Sequence, residues 1–322
     1  MQNSDGYTFI LNENVERQSV SYENTYGIKI SADLYLPKVL DQSIKHPAIV
    51  VGPPHGGVKE QGPGVYANEL AARGFVALGF DPNHMGESAG SPRNITNPEL
   101  FAENFSAGVD FLGSLAFVDR KKIGAIGICG SGGFLLNQAQ VDRRIAALVT
   151  SAMYDISRLN REGFMDSYDK AEREKWLEDM SEQRWRDVDA GNPELFPGFP
   201  EEIMSQEEVD NLPLPEIAKE FFTYYATARG KHPRAVGAFT KTSYLRHANW
   251  GRLAHPEDIS VPVLMITGDK AHSKYFTDSI FEELTNSPKE KIIVEDCRHI
   301  DLYDRLDKIP FDTIQAFFEN KM

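Results

Sequence analysis

The stretch "KIGAIGICGSGGFLLNQAQ", Lys122–Gln140, carries the architecture of this chain in nineteen residues. It begins as a short apolar run, "IGAIGI", passes through Cys-Gly-Ser-Gly-Gly, and continues as "FLLNQAQ" with the start of a helical pattern. A strand that turns straight into a helix presents the residue at the turn off the end of a sheet, and Cys129 and Ser131 are both nucleophiles. Such a turn is strained and its flanks pack against neighbouring backbone, so the residues two before and two after must be small. With Cys129 at the turn they are Gly127 and Ser131; with Ser131 they are Cys129 and Gly133. The first choice also ends the strand after a normal length. Spacing therefore favours Cys129, with Ser131 as the alternative nucleophile. At a helix N-terminus the dipole lowers a thiol pKa, which favours a thiolate at Cys129.

Upstream, "VSYENTYGIKISADLYLP" (Val20–Pro37) reads as two strands around a turn at Asn24–Gly27. "PAIVVGP" (Pro47–Pro53) is continuously apolar, as a strand buried on both faces should be. "VYANELAARG" has apolar residues at helical spacing and a Gly stop, "FVALGFDP" is the next strand, and "PELFAENFSAGVDFLGSL" starts a helix with Pro in its first turn. "IAALVTSAMY" (Ile145–Tyr154) is another strand. From Asp155 to about Ile259 the rhythm breaks into charged helical patterns, a Pro/Gly-rich connector and aromatic clusters, with no clear strand. Alternation resumes at "VPVLMITG", "KEKIIVED" and a closing helix.

Strands alternating with helices imply a mostly parallel sheet covered on both faces. An interruption of about a hundred residues far exceeds an ordinary βα connection. The organisation expected is a core over residues 1–154, a helical cap insertion over 155–259, and the rest of the core over 260–322.

Net charge is −14 and is not gathered in a tail, so it reads as a solvated surface and argues against a nucleic-acid partner. No run of 18 apolar residues and no basic-then-apolar leader occurs, so neither a membrane span nor a secretory signal is expected. Two cysteines cannot build a disulfide framework, which fits a reducing compartment, the cytoplasm by default. Oligomeric state is not legible.

"GICGSGG" resembles the elbow of dienelactone-hydrolase-like enzymes, whose nucleophile is a cysteine in a Gly-x-Cys-x-Gly setting. The likeness extends through "GGVKEQGPGVYANELAARGFVALGFDPNHMGESAGSPRN", "MYDISRLNREG", "GDKAHSKYF" and "RHIDLYDRLDKIPF". Together these motifs resemble a bacterial and fungal group of α/β-hydrolases that includes fungal polyketide transferases. The resemblance implies the α/β-hydrolase fold, with triad order nucleophile, acid, histidine.

His299, in "VEDCRHIDLYD", follows the last strand and is the expected base. The acid has two candidates. The common Gly-x-x-Asp is absent, since "GDKAHS" places Ala271 where that Asp would stand and Asp269 two residues early. Asp155, just past the preceding strand, is slightly favoured, although an Asp at a strand end often caps the next helix. The oxyanion hole needs backbone N–H donors from Gly130 and from the loop "PPHGGVKEQ", where Gly57 or Val58 is expected to donate and His55 to shape the loop. Glu87 and Ser88 are expected to order the site wall. No histidine pair has metal-ligand spacing, and neither metal nor cofactor is expected.

The expected chemistry is acyl transfer from a small-molecule ester, thioester or lactone through a cysteine acyl-enzyme. Water as acceptor makes a hydrolase and a bound alcohol makes an acyltransferase. A hydrolase-fold binding protein that no longer turns over is the rival from another class, supported by the missing Gly-x-x-Asp. Phe221, Phe222, Tyr224, Tyr225 and Trp250 fit either an apolar acyl pocket or the insertion's own small core.

Overall fold

The computed structural model describes residues 6–250 and 253–322. Eight strands form one sheet: β1 (Val15–Glu23), β2 (Lys29–Pro37), β3 (His46–Gly52), β4 (Val76–Phe80), β5 (Val118–Ile128), β6 (Ala147–Ser151), β7 (Val263–Gly268) and β8 (Lys289–Val294). Their order is β1-β2-β4-β3-β5-β6-β7-β8, antiparallel from β1 to β4 and parallel across the rest. The helices are α1 (Gly62–Ala72), α2 (Pro98–Ser114), α3 (Gly130–Ala139), α4 (Ile156–Glu162), α5 (Lys170–Ala190), α6 (Gln206–Asp210), α7 (Glu216–Tyr225), α8 (Tyr244–Trp250), α9 (Lys274–Glu283), α10 (Asp301–Asp304) and α11 (Phe311–Lys321).

The central strands are apolar throughout because helices cover them on both sides. Gly52 and Val50 face Phe105 and Gly108 of α2, while Gly124, beside Ile49, faces Phe318 of α11. β5 begins at Val118, earlier than its apolar run, since "DRKK" is an extended end at the rim. Among the described residues no helix is long and apolar enough to cross a membrane.

Between β6 and β7 the described residues hold α4 to α8, short 3₁₀ turns and two isolated bridges, but no strand. α5 buries only Met180 and Gln183, so packing does little to hold it. Its ends do more: Asp169 and Glu172 form a capping box, and Gly191 closes it in the left-handed region at φ 72°. This insertion is tied to the core by ion pairs, Arg229 with Asp301 (3.1 Å) and Asp304 (2.6 Å), and Arg234 with Glu60.

Candidate active site

Cys129 sits between β5 and α3 with φ 53° and ψ −122°, a conformation that L-residues avoid. The surrounding hydrogen bonds fix it: its N–H donates to the Ser151 carbonyl (2.9 Å), and its carbonyl accepts from Gly132 and Tyr154 (2.9 Å each). A Cβ at Gly127 would lie 2.3 Å from the Ser131 carbonyl oxygen, and one at Gly132 would lie 2.6 Å from Met153 Cβ. That is why the flanks are small.

The turn separates the two nucleophiles. Cys129 lines a cavity of about 350 Å³ with His55, Tyr154, Phe221, Phe222 and Phe239, among others. Ser131 is buried and not on that wall; its hydroxyl points back toward Gly52 beside Phe105, under the sheet. Of the aromatics singled out in the sequence, Phe221, Phe222 and Tyr225 line the cavity. Tyr224 packs edge-on against Tyr303, and Trp250 borders a different surface groove near Tyr26 and His255.

The N–H groups of His55 and Gly130 converge on the Cys129 sulfur, and the Tyr303 hydroxyl shares a hydrogen bond with it. Burial nevertheless pushes the thiol above its usual pKa, and these hydrogen bonds offset that only in part. The expectation of a dipole-stabilised thiolate is thus corrected. The resting sulfur is a thiol, because the turn that presents it also desolvates it.

At the sulfur, the Gly130 N–H is joined by that of His55 rather than by one from Gly57 or Val58. The N–H of Gly57 donates to the Pro54 carbonyl (2.8 Å) and that of Val58 to Gln61 Oε1 (3.0 Å), so both expected donors are spent within their own turn. Gly56, at φ 93°, folds the loop back and leaves His55 facing the cleft. The His55 ring stacks on Phe239 at 4.2 Å, and its Nε2 is 2.7 Å from Thr96 Oγ1, which lies 2.6 Å from His247 Nε2.

Burial drives His55 down to about 3. It is therefore neutral when folded, while the unfolded chain binds a proton below about 6.5, so its contribution is complete above that pH and is lost as pH falls. His55→Gln keeps a polar partner for Thr96 and removes the titration. Chemical denaturation from pH 6 to 4 should show wild type losing about 1.4 kcal/mol per pH unit more than the variant. Parallel slopes would contradict this.

His299 is fully buried, with Nδ1 2.6 Å from Ser273 Oγ and Nε2 2.8 Å from the Tyr303 hydroxyl. Burial, helped by neighbouring His272, holds it well below the ordinary histidine range, so at neutral pH it is an unprotonated base. Both ring nitrogens are engaged, and neither aspartate holds it. Asp155 instead caps α4, accepting the Arg158 N–H at 2.8 Å, because it is the last residue before that helix. Asp269 is exposed and accepts the Cys297 N–H at 3.1 Å, joining the loop after β7 to the loop after β8. The assignment of either as the residue orienting His299 is corrected: that position belongs to Ser273, two residues past Ala271.

A carboxylate does reach this region, from the insertion. Glu220 of α7 lies 3.2 Å from His272 Nδ1 and accepts the Ile300 N–H at 3.1 Å. The His272 and His299 rings are 4.7 Å apart. Glu87 and Ser88, expected to order the site wall, do not line the cavity: Asp81 accepts the N–H groups of Lys59 (2.7 Å) and Glu87 (2.8 Å), and Ser88 donates to the Asp81 carbonyl (2.7 Å). Oxygens of Glu60, Asp81 and Glu87 come within 4.8 Å of one another, but the Lys59 ammonium bonds Glu60 and Glu87 and sits 3.5 Å from Asp81, supplying the positive charge itself.

Comparison with known proteins gives no matching family model. The chain is 44% identical over 319 residues to the uncharacterised protein PA2218 of Pseudomonas aeruginosa, covering 98% of this chain and 83% of that one. The crystal structure of PA2218 superimposes with a TM-score of 0.91 over 98% of this chain and 97% of the other. The α/β-hydrolase GrgF from Penicillium shares the fold (TM-score 0.75, 21% identity, 95% and 99% covered). Shorter matches are the thiohydrolase aneE of Aspergillus aculeatus, 30% identical over 139 residues, and the acyltransferase drtE of Aspergillus calidoustus, 26% over 136; each spans under half of either chain. With its elbow and its sheet order the chain has the α/β-hydrolase fold, and at 44% identity it belongs to one family with PA2218.

Proposed function

We propose that the protein cleaves esters or thioesters of apolar acyl groups through an acyl-enzyme on Cys129. The observation that carries this reading is the strained turn at Cys129, which aims its sulfur into an apolar cavity and brings two backbone N–H groups to the same atom. When the sulfur attacks a carbonyl, the oxygen taking up negative charge replaces the sulfur as the target of the His55 and Gly130 N–H groups. His299, neutral at pH 7, takes up the thiol proton and returns it to the leaving group. Ser273 orients the imidazole, and Glu220 bonds His272, whose ring lies beside that of His299. No Asp, Glu, Lys or Arg lines the cavity among the described residues, so an uncharged acyl chain or ring fits and a charged one is disfavoured. The names of aneE and drtE support acyl chemistry of this kind and leave open whether water or an alcohol takes the acyl group.

The test is intact mass after brief exposure to p-nitrophenyl acetate and p-nitrophenyl butyrate, followed by peptide mapping. One acyl group on the Cys129 peptide is expected, with butyrate reacting faster than acetate. Adding n-butanol during turnover and measuring the ratio of acid to butyl ester assigns the acceptor. Acyl groups on another residue, or none with either ester, would sink the reading.

A further inference from the structure

Tyr303 stands between the thiol and the base. Its hydroxyl hydrogen-bonds Cys129 Sγ and lies 2.8 Å from His299 Nε2, and its side chain is fully buried. Tyr224 and Tyr225 pack against the ring at centroid distances of 5.1 and 6.4 Å and help hold it there. His299 and Tyr303 are four residues apart, spanning the start of α10, so one short helical turn sets the spacing between base and hydroxyl. His299 Nε2 is thereby engaged by the phenol rather than by the sulfur.

We infer that Tyr303 is a catalytic residue that relays the proton between Cys129 and His299. The inference rests on the reading of Cys129 as nucleophile and His299 as base. As the sulfur–carbon bond forms, the thiol proton moves to the phenol oxygen while the phenol's own proton moves to His299 Nε2. The carbonyl electron pair goes to the oxyanion, and no net charge stays on the tyrosine. When the leaving oxygen or sulfur departs, Tyr303 gives it a proton and recovers one from Nε2. Simultaneous transfer matters because burial holds the phenol pKa far above its usual value, so a free tyrosinate is not a usable intermediate. The same geometry explains how a thiol whose pKa is raised can still react at neutral pH.

The test is a double-mutant cycle on alkylation of Cys129 by iodoacetamide, which needs the activated sulfur but no ester. At pH 7, Tyr303→Phe and His299→Ala should each slow alkylation about 10²-fold, the lower end of acid–base assistance. The double variant should be no slower than either single one, because both cut the same chain. The pH–rate profile of Tyr303→Phe should move toward higher pH. Multiplying effects in the double variant, or a Tyr303→Phe rate within threefold of wild type, would overturn the relay. If Tyr303→Phe proves misfolded by thermal melt, alkylation of the wild type in mixtures of light and heavy water decides: a curved rate dependence means two protons in flight, and a straight line rejects the relay. Coupled alkylation without acylation by the p-nitrophenyl esters would keep the relay and reject the proposed function.

Discussion

Cys129→Ala is expected to abolish the acyl adduct and to lower kcat/KM for p-nitrophenyl butyrate by about 10⁴-fold or more, the scale seen when a nucleophile is removed from a working catalytic group. The fold should survive. Alanine accepts the buried position with the loss of one polarisable atom, so thermal unfolding should shift by only a few degrees. Ser131→Ala is the informative partner. Its hydroxyl lies beneath the sheet rather than on the cavity wall, so activity should stay within about threefold of wild type, as for a substitution that leaves the reacting groups in place. Turnover that persists in Cys129→Ala and disappears in Ser131→Ala would move the chemistry two residues along and require a different turn from the one described.

The second expectation concerns a glycine far from the sulfur. A Cβ on Gly268 would fall 2.0 Å from the Cys297 carbonyl oxygen, a backbone atom that cannot rotate aside. Gly268→Ala should therefore cost about 3 kcal/mol, at the upper end of overpacking penalties. The damage should not stop at stability. Lys270 donates its N–H to the same Cys297 carbonyl at 3.1 Å, and Cys297 donates its own to Asp269, so pushing these loops apart also separates Ser273 from His299. Gly113, inside α2, gives the control, since a Cβ there meets nothing closer than 3.6 Å. Gly113→Ala should be neutral or stabilising by up to about 1 kcal/mol. Equal melting shifts for the two variants would refute the argument.

The fold was legible because its signals are local. The apolar run Ile123–Ile128, the small residues around Cys129 and the repeated strand–helix alternation each report on contacts that every α/β layer must make. Within the site, the sequence located only the positions that the layering itself fixes: Cys129 at the turn between β5 and α3, Gly130 at the start of α3 and His299 in the loop after β8. What escaped depends on how loops fold back on themselves. Nothing in "PPHGGVKEQ" reveals that Gly57 and Val58 spend their N–H groups inside the turn and leave that of His55 over. Nothing in "GDKAHS" shows that Ser273 reaches the imidazole while Asp269 stitches two loops together. Tyr303 did leave a trace, lying four residues after His299 in a short helix. Glu220 left none, because its partner lies 52 residues away.

The ties between the insertion and the base loop bear on how such enzymes diversify. Glu220 accepts the Ile300 N–H, and Arg229 grips Asp301, Asp304 and the Ile300 carbonyl. The segment that lines much of the cavity beside Cys129 is thus also the scaffold of the loop carrying His299. Under the proposed function, selectivity and basicity are not separable modules. A new insertion grafted between β6 and β7 to accept a different acyl group would arrive without the carboxylate and guanidinium that hold His299 in place, unless both were grafted with it.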